Sequence, residues 1–296
     1  MAGHIGGVER RIRELHPAAL FFHCASHRLN LVINDLNDVS AVRNTIGTLK
    51  EIVNFFQGSS LRRKQIPNIP LLCEARWTSK YDSIRQFGAN FGAVLKALSK
   101  LSEEPGNRNT RERAFQLYCS AKTPSFIICL RVIERYSTIL EPVGNSLQGT
   151  NVDLPTVKEH VDNLLKVFQC HREHAEEEFE DIFSKVQSVA EEFDVQLRLP
   201  RASSKKVGCV GAATRQEDVV QYYRRAIYIP YLDSLITCLG ERFSDNSRPG
   251  HCIFQLHPRY MLEMEMEAFL KMMKDVEQVY GNLLQGFPEE AKTWFL

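Results

Sequence analysis

The sequence has almost no surplus of charge of either sign, because 37 lysines and arginines stand against 36 aspartates and glutamates in 296 residues. No global field therefore draws the chain to nucleic acid or to a membrane surface, and any contact with nucleic acid must come from a local patch. The sequence also lacks a run of about 18 apolar residues, so it predicts no membrane-spanning helix. Residues 1–7 lack the basic start and apolar centre of a signal peptide.

The eight cysteines form no C-x-x-C pair, and they are too scattered for the disulfide framework of a small secreted domain. We therefore predict an intracellular protein with reduced thiols, in which most cysteines are small buried hydrophobic residues. No internal repeat of 20–50 residues is visible either, which argues against a solenoid or a propeller.

What the sequence does contain is a short apolar run followed by a long series of helical patterns. The run at about 18–23 is too short for a helix and too continuous for a surface loop, which predicts a buried strand. After it, apolar residues recur at helical spacing nearly everywhere. The predicted helices span about 27–56, with a break near 37–38, then 79–101, 111–120, 125–147, 153–193, 219–243 interrupted at Pro230, and 258–280. Residues 197–216 are predicted to be a mobile loop.

Three segments resemble motifs of one family, in the family's order. Phe22–Leu31 contains a C-x-x-H-x-L-N-L pattern, and Glu74–Asp82 contains an R-W-x-S pattern. Tyr222–Asp233, together with Glu241–Phe243, is the third segment, and it is similar to a block found in domesticated members of that family. Together these segments resemble hAT-superfamily transposases, and among them the zinc-finger-MYM-type-1-like proteins.

The resemblance implies a mainly α fold, in which one short N-terminal strand belongs to an incomplete RNase H-like core. Residues 1–36 would be the remnant of that core, and residues 37–296 would be the all-α insertion domain. The family's two catalytic aspartates would lie before Met1, and Glu241–Phe243 shares only part of the motif of the catalytic glutamate. Two-metal strand transfer needs clustered carboxylates. We therefore expect no catalysis by this chain and no cofactor, since Mg²⁺ would belong to the complete family core.

Candidate contacts with nucleic acid are aromatic or basic. The indole of Trp77 could stack on an unpaired base while the guanidinium of Arg76 takes a phosphate, and the resemblance implies a flipped or hairpin base at a transposon end. The alternative is a tryptophan packed under the helical domain, with Arg76 paired to a carboxylate. His27 is implied by the resemblance to lie near DNA. The short basic cluster could contact phosphates, although solvated surface is its default interpretation; it comprises Arg62, Arg63 and Lys64.

Other motif residues are expected to be structural. Cys24 is interpreted as core packing, and His27 as a cap or hydrogen-bonding group at the end of the strand. A zinc site is the less favoured alternative, because it needs four ligands and could recruit further ones only through folding. Those further candidates are His23, Cys170, His171 and His174. The remaining motif residues assigned structural roles are Asn30, Tyr222, Pro230 and Asp233.

These observations favour a nuclear, non-catalytic fragment of a domesticated hAT-like transposase with a DNA-associated or transcription-regulatory role. The expected partners are DNA of the transposon-end or hairpin type, or proteins, and no membrane. Two alternatives stay open at this point. One is a helical protein-interaction scaffold that binds no nucleic acid. The other is a truncated transposon remnant without function, whose lone strand would have exposed edges and poor solubility.

Overall fold

The computed structural model describes most of the chain. It covers residues 6–19, 21, 23–72, 77–149, 153–200, 216–243, 252–253, 255–262, 264–284 and 286–295, with the backbone alone at residues 77–79, 216–218, 288 and 294. Fifteen α-helices of four residues or more lie in these ranges. They are α1 Val8–Leu15, α2 Ala25–Asp35, α3 Ser40–Gln57, α4 Ser60–Arg63, α5 Trp77–Ala89, α6 Phe91–Glu103, α7 Arg108–Ala121, α8 Pro124–Ser146, α9 Leu154–Glu173, α10 Ala175–Glu192, α11 Gln216–Tyr223, α12 Ile229–Arg242, α13 Pro258–Met261, α14 Met266–Tyr280 and α15 Phe287–Phe295.

The predicted helical class is confirmed, whereas the predicted strand is not found. Within the described residues of 18–23, namely 18, 19, 21 and 23, no strand is present, while Leu20 and Phe22 lie outside the described part of the chain. The apolar run is followed directly by α2, which begins at Ala25. The division into residues 1–36 and 37–296 stays a prediction.

Helix α8 is the centre of the fold. Five consecutive residues, 126–130, are buried, so this part of the helix is enclosed on every side. It begins at Pro124, whose missing N–H is harmless in a first turn, and the Thr123 hydroxyl accepts a hydrogen bond from the Phe126 N–H at 3.4 Å. Helices α3, α5, α7 and α10 all contact it.

One end of α8 is fixed by a cluster of phenylalanines. The rings of Phe87 and Phe91 lie 6.3 and 5.9 Å from the ring of Phe126, measured between centroids. The three side chains are at most 4% exposed. They join α5, α6 and α8 at one point, in the range of separations that favours aromatic pairs.

Two predicted long helices are each divided by a residue that bonds back to its own helix. Residues 79–101 were expected as one helix, but α5 ends before Asn90, whose Nδ2 donates to the Gln86 carbonyl oxygen at 2.8 Å. Residues 153–193 divide at His174, whose Nδ1 lies 3.0 Å from the Cys170 carbonyl oxygen. In both cases the side chain adds a second hydrogen-bonding contact to a carbonyl oxygen that already accepts from the N–H of the same residue, at the point where the helix ends.

The expected interruption at Pro230 takes the form of a π-helical turn over Arg224–Tyr228. A proline cannot donate to the carbonyl four residues earlier, and its ring clashes with it. The wider turn resolves this conflict immediately before α12 begins. It also turns Ile227 and Tyr228 into the core.

The buried side chains form two clusters. The larger runs from Leu29 to Leu239 and includes residues from α2 through α12, and partly buried Leu197 and Leu199 pack against it. The smaller surrounds Phe269, whose ring stacks on Phe295 with centroids 4.5 Å apart. Of the predicted mobile loop at 197–216, residues 201–215 lie outside the described part of the chain.

Candidate functional site

Helix α2 is the place where the three motif segments meet. Lys80, in the segment with the R-W-x-S pattern, is only 3% exposed, and its Nζ donates to Asn34 Oδ1 at 3.4 Å. These two residues are 46 positions apart. The C-x-x-H helix and the helix that begins at Trp77 are therefore held side by side.

The third motif segment also contacts α2. Arg242 Nε and Nη2 lie 2.7 and 2.5 Å from Asp35 Oδ2, and both side chains are about one third exposed. The guanidinium carbon of Arg28 lies 5.8 Å from the centroid of the Phe243 ring. We call this region the α2 junction; it consists of Arg28, Asn34, Asp35, Lys80, Arg242 and Phe243.

At the N-terminal end of α2 the motif side chains point to solvent. His23, Cys24 and His27 are all exposed, so the expected core packing of Cys24 is wrong. Cys24 is the residue before the helix and makes no side-chain capping bond, and its exposure follows from its place outside the first turn. Asn30, one turn into the helix, is half-buried.

Trp77 occupies the first position of α5. Its side chain, like the whole of Arg76, lies outside the described residues. The backbone alone is informative, since the first N–H groups of a helix have no helical partner and the helix dipole is positive there. An anion would be favoured at this end of a 13-residue helix.

The predicted basic cluster divides into one structural and two exposed residues. Arg62 Nε donates to the Phe55 carbonyl oxygen at 2.7 Å, and its guanidinium lies 4.4 Å over the Phe55 ring. This arginine therefore stabilises the C-terminal end of α3, where basic side chains bond free carbonyls. Only Arg63 and Lys64 are exposed and available to phosphates.

The remaining motif residues lie away from the α2 junction or support it. The Tyr222 ring packs edge-on against Tyr223, with centroids 5.1 Å apart. Pro230 lies in the first turn of α12. Asp233 is exposed and accepts a hydrogen bond from Arg172 Nε at 2.7 Å. Exposed pairs of this kind contribute little to stability.

One polar network was not predicted from the sequence. The hydroxyl oxygens of Tyr136 and Tyr228 are 2.8 Å apart, and Tyr136 Oη lies 3.1 Å from His171 Nδ1. Glu178 continues the chain, because it lies 3.9 Å from His171 Nε2 and is also paired with Arg135. Four separate elements supply these residues, so no local spacing could reveal them.

The network predicts a dependence of stability on pH. Burial lowers the pKa of His171, and Arg135 acts in the same direction, while Glu178 opposes them. The unfolded chain therefore binds the proton more readily, with an ordinary pKa of about 6.5. We expect full stability above that value and a decline as the pH falls from about 6.5 towards the lowered pKa of the folded state.

Urea unfolding between about pH 5 and pH 8 measures this dependence. His171→Gln is expected to flatten it, whereas the control His16→Gln, at an exposed position, leaves it unchanged. Equal slopes for all three proteins would show that His171 is not the group responsible.

The described residues supply no further ligands for the alternative zinc site at Cys24 and His27. Cys170 Sγ and His174 Nδ1 are 3.7 Å apart on the exposed end of α9. Within the described ranges, no group of three or more His, Cys, Asp or Glu side chains is arranged to hold a metal ion. In that same part of the chain, no helix has the length and apolar character needed to cross a membrane.

Comparisons of the chain with protein-family models, curated proteins and solved structures found no match.

Proposed function

We propose that the chain is a non-catalytic, DNA-associated part of a nuclear, transposase-derived protein, and that the α2 junction supports its DNA-contacting residues. The observation that carries this proposal is that the second and third motif segments both contact α2, the helix that contains most of the first, through Lys80 with Asn34, Arg242 with Asp35 and Arg28 with Phe243. This convergence brings residues of all three segments close to one helix, as a shared binding surface would need.

Two motif residues at helix N-termini have chemistry that suits a nucleic acid. Trp77 begins α5, where the helix dipole favours a phosphate, and His27 is exposed in the first turn of α2. A base extruded from a duplex end could stack on the indole while neighbouring cations bind the backbone. Catalysis is not part of the proposal.

Binding of a fluorescently labelled DNA hairpin with a single-stranded flank tests the proposal. Loss of one base–aromatic contact is worth about 1–3 kcal/mol, so Trp77→Ala should weaken binding by roughly 5- to 150-fold. Arg76→Ala should weaken it more evenly across sequences and reduce the salt slope by about one. Incubation of the same DNA with Mg²⁺ or Mn²⁺ should give no cleavage.

Matched controls separate this site from general effects. Trp294→Ala removes the only other tryptophan, in α15, and Arg85→Ala removes an exposed arginine from the same helix as Trp77. Both are expected to bind as the wild type does. Absence of wild-type binding at low salt would reject the proposal, and metal-dependent cleavage would reject its non-catalytic part.

A second function, a helical protein-interaction scaffold, is favoured by α1. Its apolar side chains Val8, Ile12 and Leu15 are 54%, 47% and 77% exposed, and no residue of this helix is buried. An amphipathic helix with its apolar face uncovered is a common binding element. If the hairpin does not bind, this becomes the preferred function.

A further inference from the structure

A second surface suited to nucleic acid lies on α7, outside all three motif segments. Four of its side chains, and that of Lys122 immediately after the helix, are spaced three or four residues apart and therefore share one face. We call this face the α7 stripe; it consists of Arg108, Arg111, Phe115, Tyr118 and Lys122. Two cations, two aromatic rings and a third cation follow one another along roughly 21 Å, at 1.5 Å of rise per residue.

The central ring of the stripe is open to solvent. Phe115 is 58% exposed, and it is the only aromatic residue among the large exposed hydrophobic side chains of the described ranges. Phenylalanine has no polar atom that could make such exposure favourable. A partner that covers the ring would therefore gain free energy from removing it from water.

Cations lie on both sides of this ring. The Arg108 side chain is 88% exposed, and Arg111 is also exposed. On the other side, Lys122 Nζ lies 5.4 Å from the centroid of the half-buried Tyr118 ring. The flanking charge is thus positive towards both ends of the helix, with one carboxylate, Glu112, on α7 beside it.

These cations are held only weakly by the protein. Arg108 Nε lies 2.7 Å from Glu112 Oε1, but this pair is exposed and spans one helical turn. Arg111 Nε reaches the Ser102 carbonyl oxygen only at 3.5 Å. Exposed pairs of this type contribute little, so the guanidinium groups can turn to a ligand at small cost.

The helix beneath the stripe is rigidly placed. An adjacent face of the helix buries Ala114, Leu117 and Ala121, and α7 packs closely against α6. Asn107 caps its first turn by accepting hydrogen bonds from the N–H groups of Asn109 and Thr110. The stripe is therefore preformed, which lowers the entropy lost on binding.

We propose that the α7 stripe binds single-stranded nucleic acid, with one base stacked on Phe115 and the flanking phosphates contacted by Arg108, Arg111 and Lys122. Stacking uses the π-face that every base has, and the cations follow the backbone on either side. An acidic peptide would match the charges equally well, but it would leave the phenyl ring uncovered. The exposed ring therefore favours nucleic acid.

Fluorescence anisotropy with a labelled oligothymidylate of about 16 nucleotides, the upper range of such site sizes, tests the stripe in the full chain. Phe115→Ala is expected to weaken binding by roughly 5- to 150-fold, whereas Phe115→Tyr keeps most of it because the ring remains. Arg111→Gln should reduce the slope of log affinity against log salt by about 0.7.

Controls use exposed side chains of the same type elsewhere. Leu61→Ala removes an apolar side chain that is 75% exposed, and Arg10→Gln breaks an exposed pair with Glu14 that matches Arg108–Glu112 in spacing. Both should bind oligothymidylate normally. Trp77→Ala should also retain this binding, so the α7 stripe and the proposed hairpin site can succeed or fail separately.

Three outcomes would overturn the proposal. Wild-type protein that does not bind oligothymidylate at low salt is one of them. Equal binding by Phe115→Ala and wild type, at unchanged melting temperature, is another. The third is competition by a polyglutamate peptide that is lost with Arg111→Gln but not with Phe115→Ala, because this would identify the stripe as a charge-only site for acidic proteins.

Discussion

Replacement of Phe126 with alanine is expected to lower the free energy of unfolding by about 3–5 kcal/mol, the range for truncation of a buried phenylalanine. The side chain is 4% exposed, and its ring contacts both Phe87 and Phe91. Its loss would leave a cavity where α5, α6 and α8 meet. Because single-domain proteins are stable by only about 5–15 kcal/mol, this change alone removes a large part of the total.

Phe115→Ala is the matched control for this prediction. It deletes the same atoms from a ring that is 58% exposed, so its effect on stability should be within about 0.5 kcal/mol. Urea denaturation followed by circular dichroism measures both variants. Similar midpoints for the two would mean that the phenylalanine cluster is not a point of close packing.

The second large effect is expected at the α2 junction. Asp35→Ala should cost about 1.5–3 kcal/mol, because hydrogen bonds to charged partners are worth this much and the Arg242 guanidinium is left half-buried without its carboxylate. In a double-mutant cycle, Arg242→Ala should add little once Asp35 is gone. Hairpin binding should weaken as well, since the pair holds one motif segment against another.

A pair of the same residue types provides the comparison. Arg172 and Asp233 are also joined at 2.7 Å, but their side chains are 39% and 53% exposed. A cycle on that pair should give a coupling energy below about 1 kcal/mol. If both cycles gave the same small value, the α2 junction would be held together by apolar contacts and not by its ion pair.

Much of the helical architecture was predictable from periodicity. Helix α8 was predicted at 125–147, and the structure has it at Pro124–Ser146, because its apolar residues recur at helical spacing along its length. The two missed divisions have one physical origin. Asn90 and His174 each contact a carbonyl oxygen of the preceding turn with the side chain as well as the backbone N–H, and a hydrophobic pattern that continues past them conceals this.

The site was less predictable. No strand is found at the described positions of 18–23, and a short apolar run carries no information on whether another strand is available to pair with it. Arg62 was grouped with its basic neighbours, although its contact with the Phe55 carbonyl oxygen depends on the turn after α3. The network of Tyr136, Tyr228 and His171 depends on tertiary contacts alone.

The ion pair between Asp35 and Arg242 also bears on the order of folding. It joins residues 207 positions apart, whereas neighbouring helices such as α6 and α7 join residues close in sequence. Closure of a long loop costs conformational entropy before its contacts can form, so such contacts tend to form late. During synthesis, this ion pair can form only after Arg242 has left the ribosome, and the proposed DNA surface is therefore expected to mature after contacts such as those between α6 and α7.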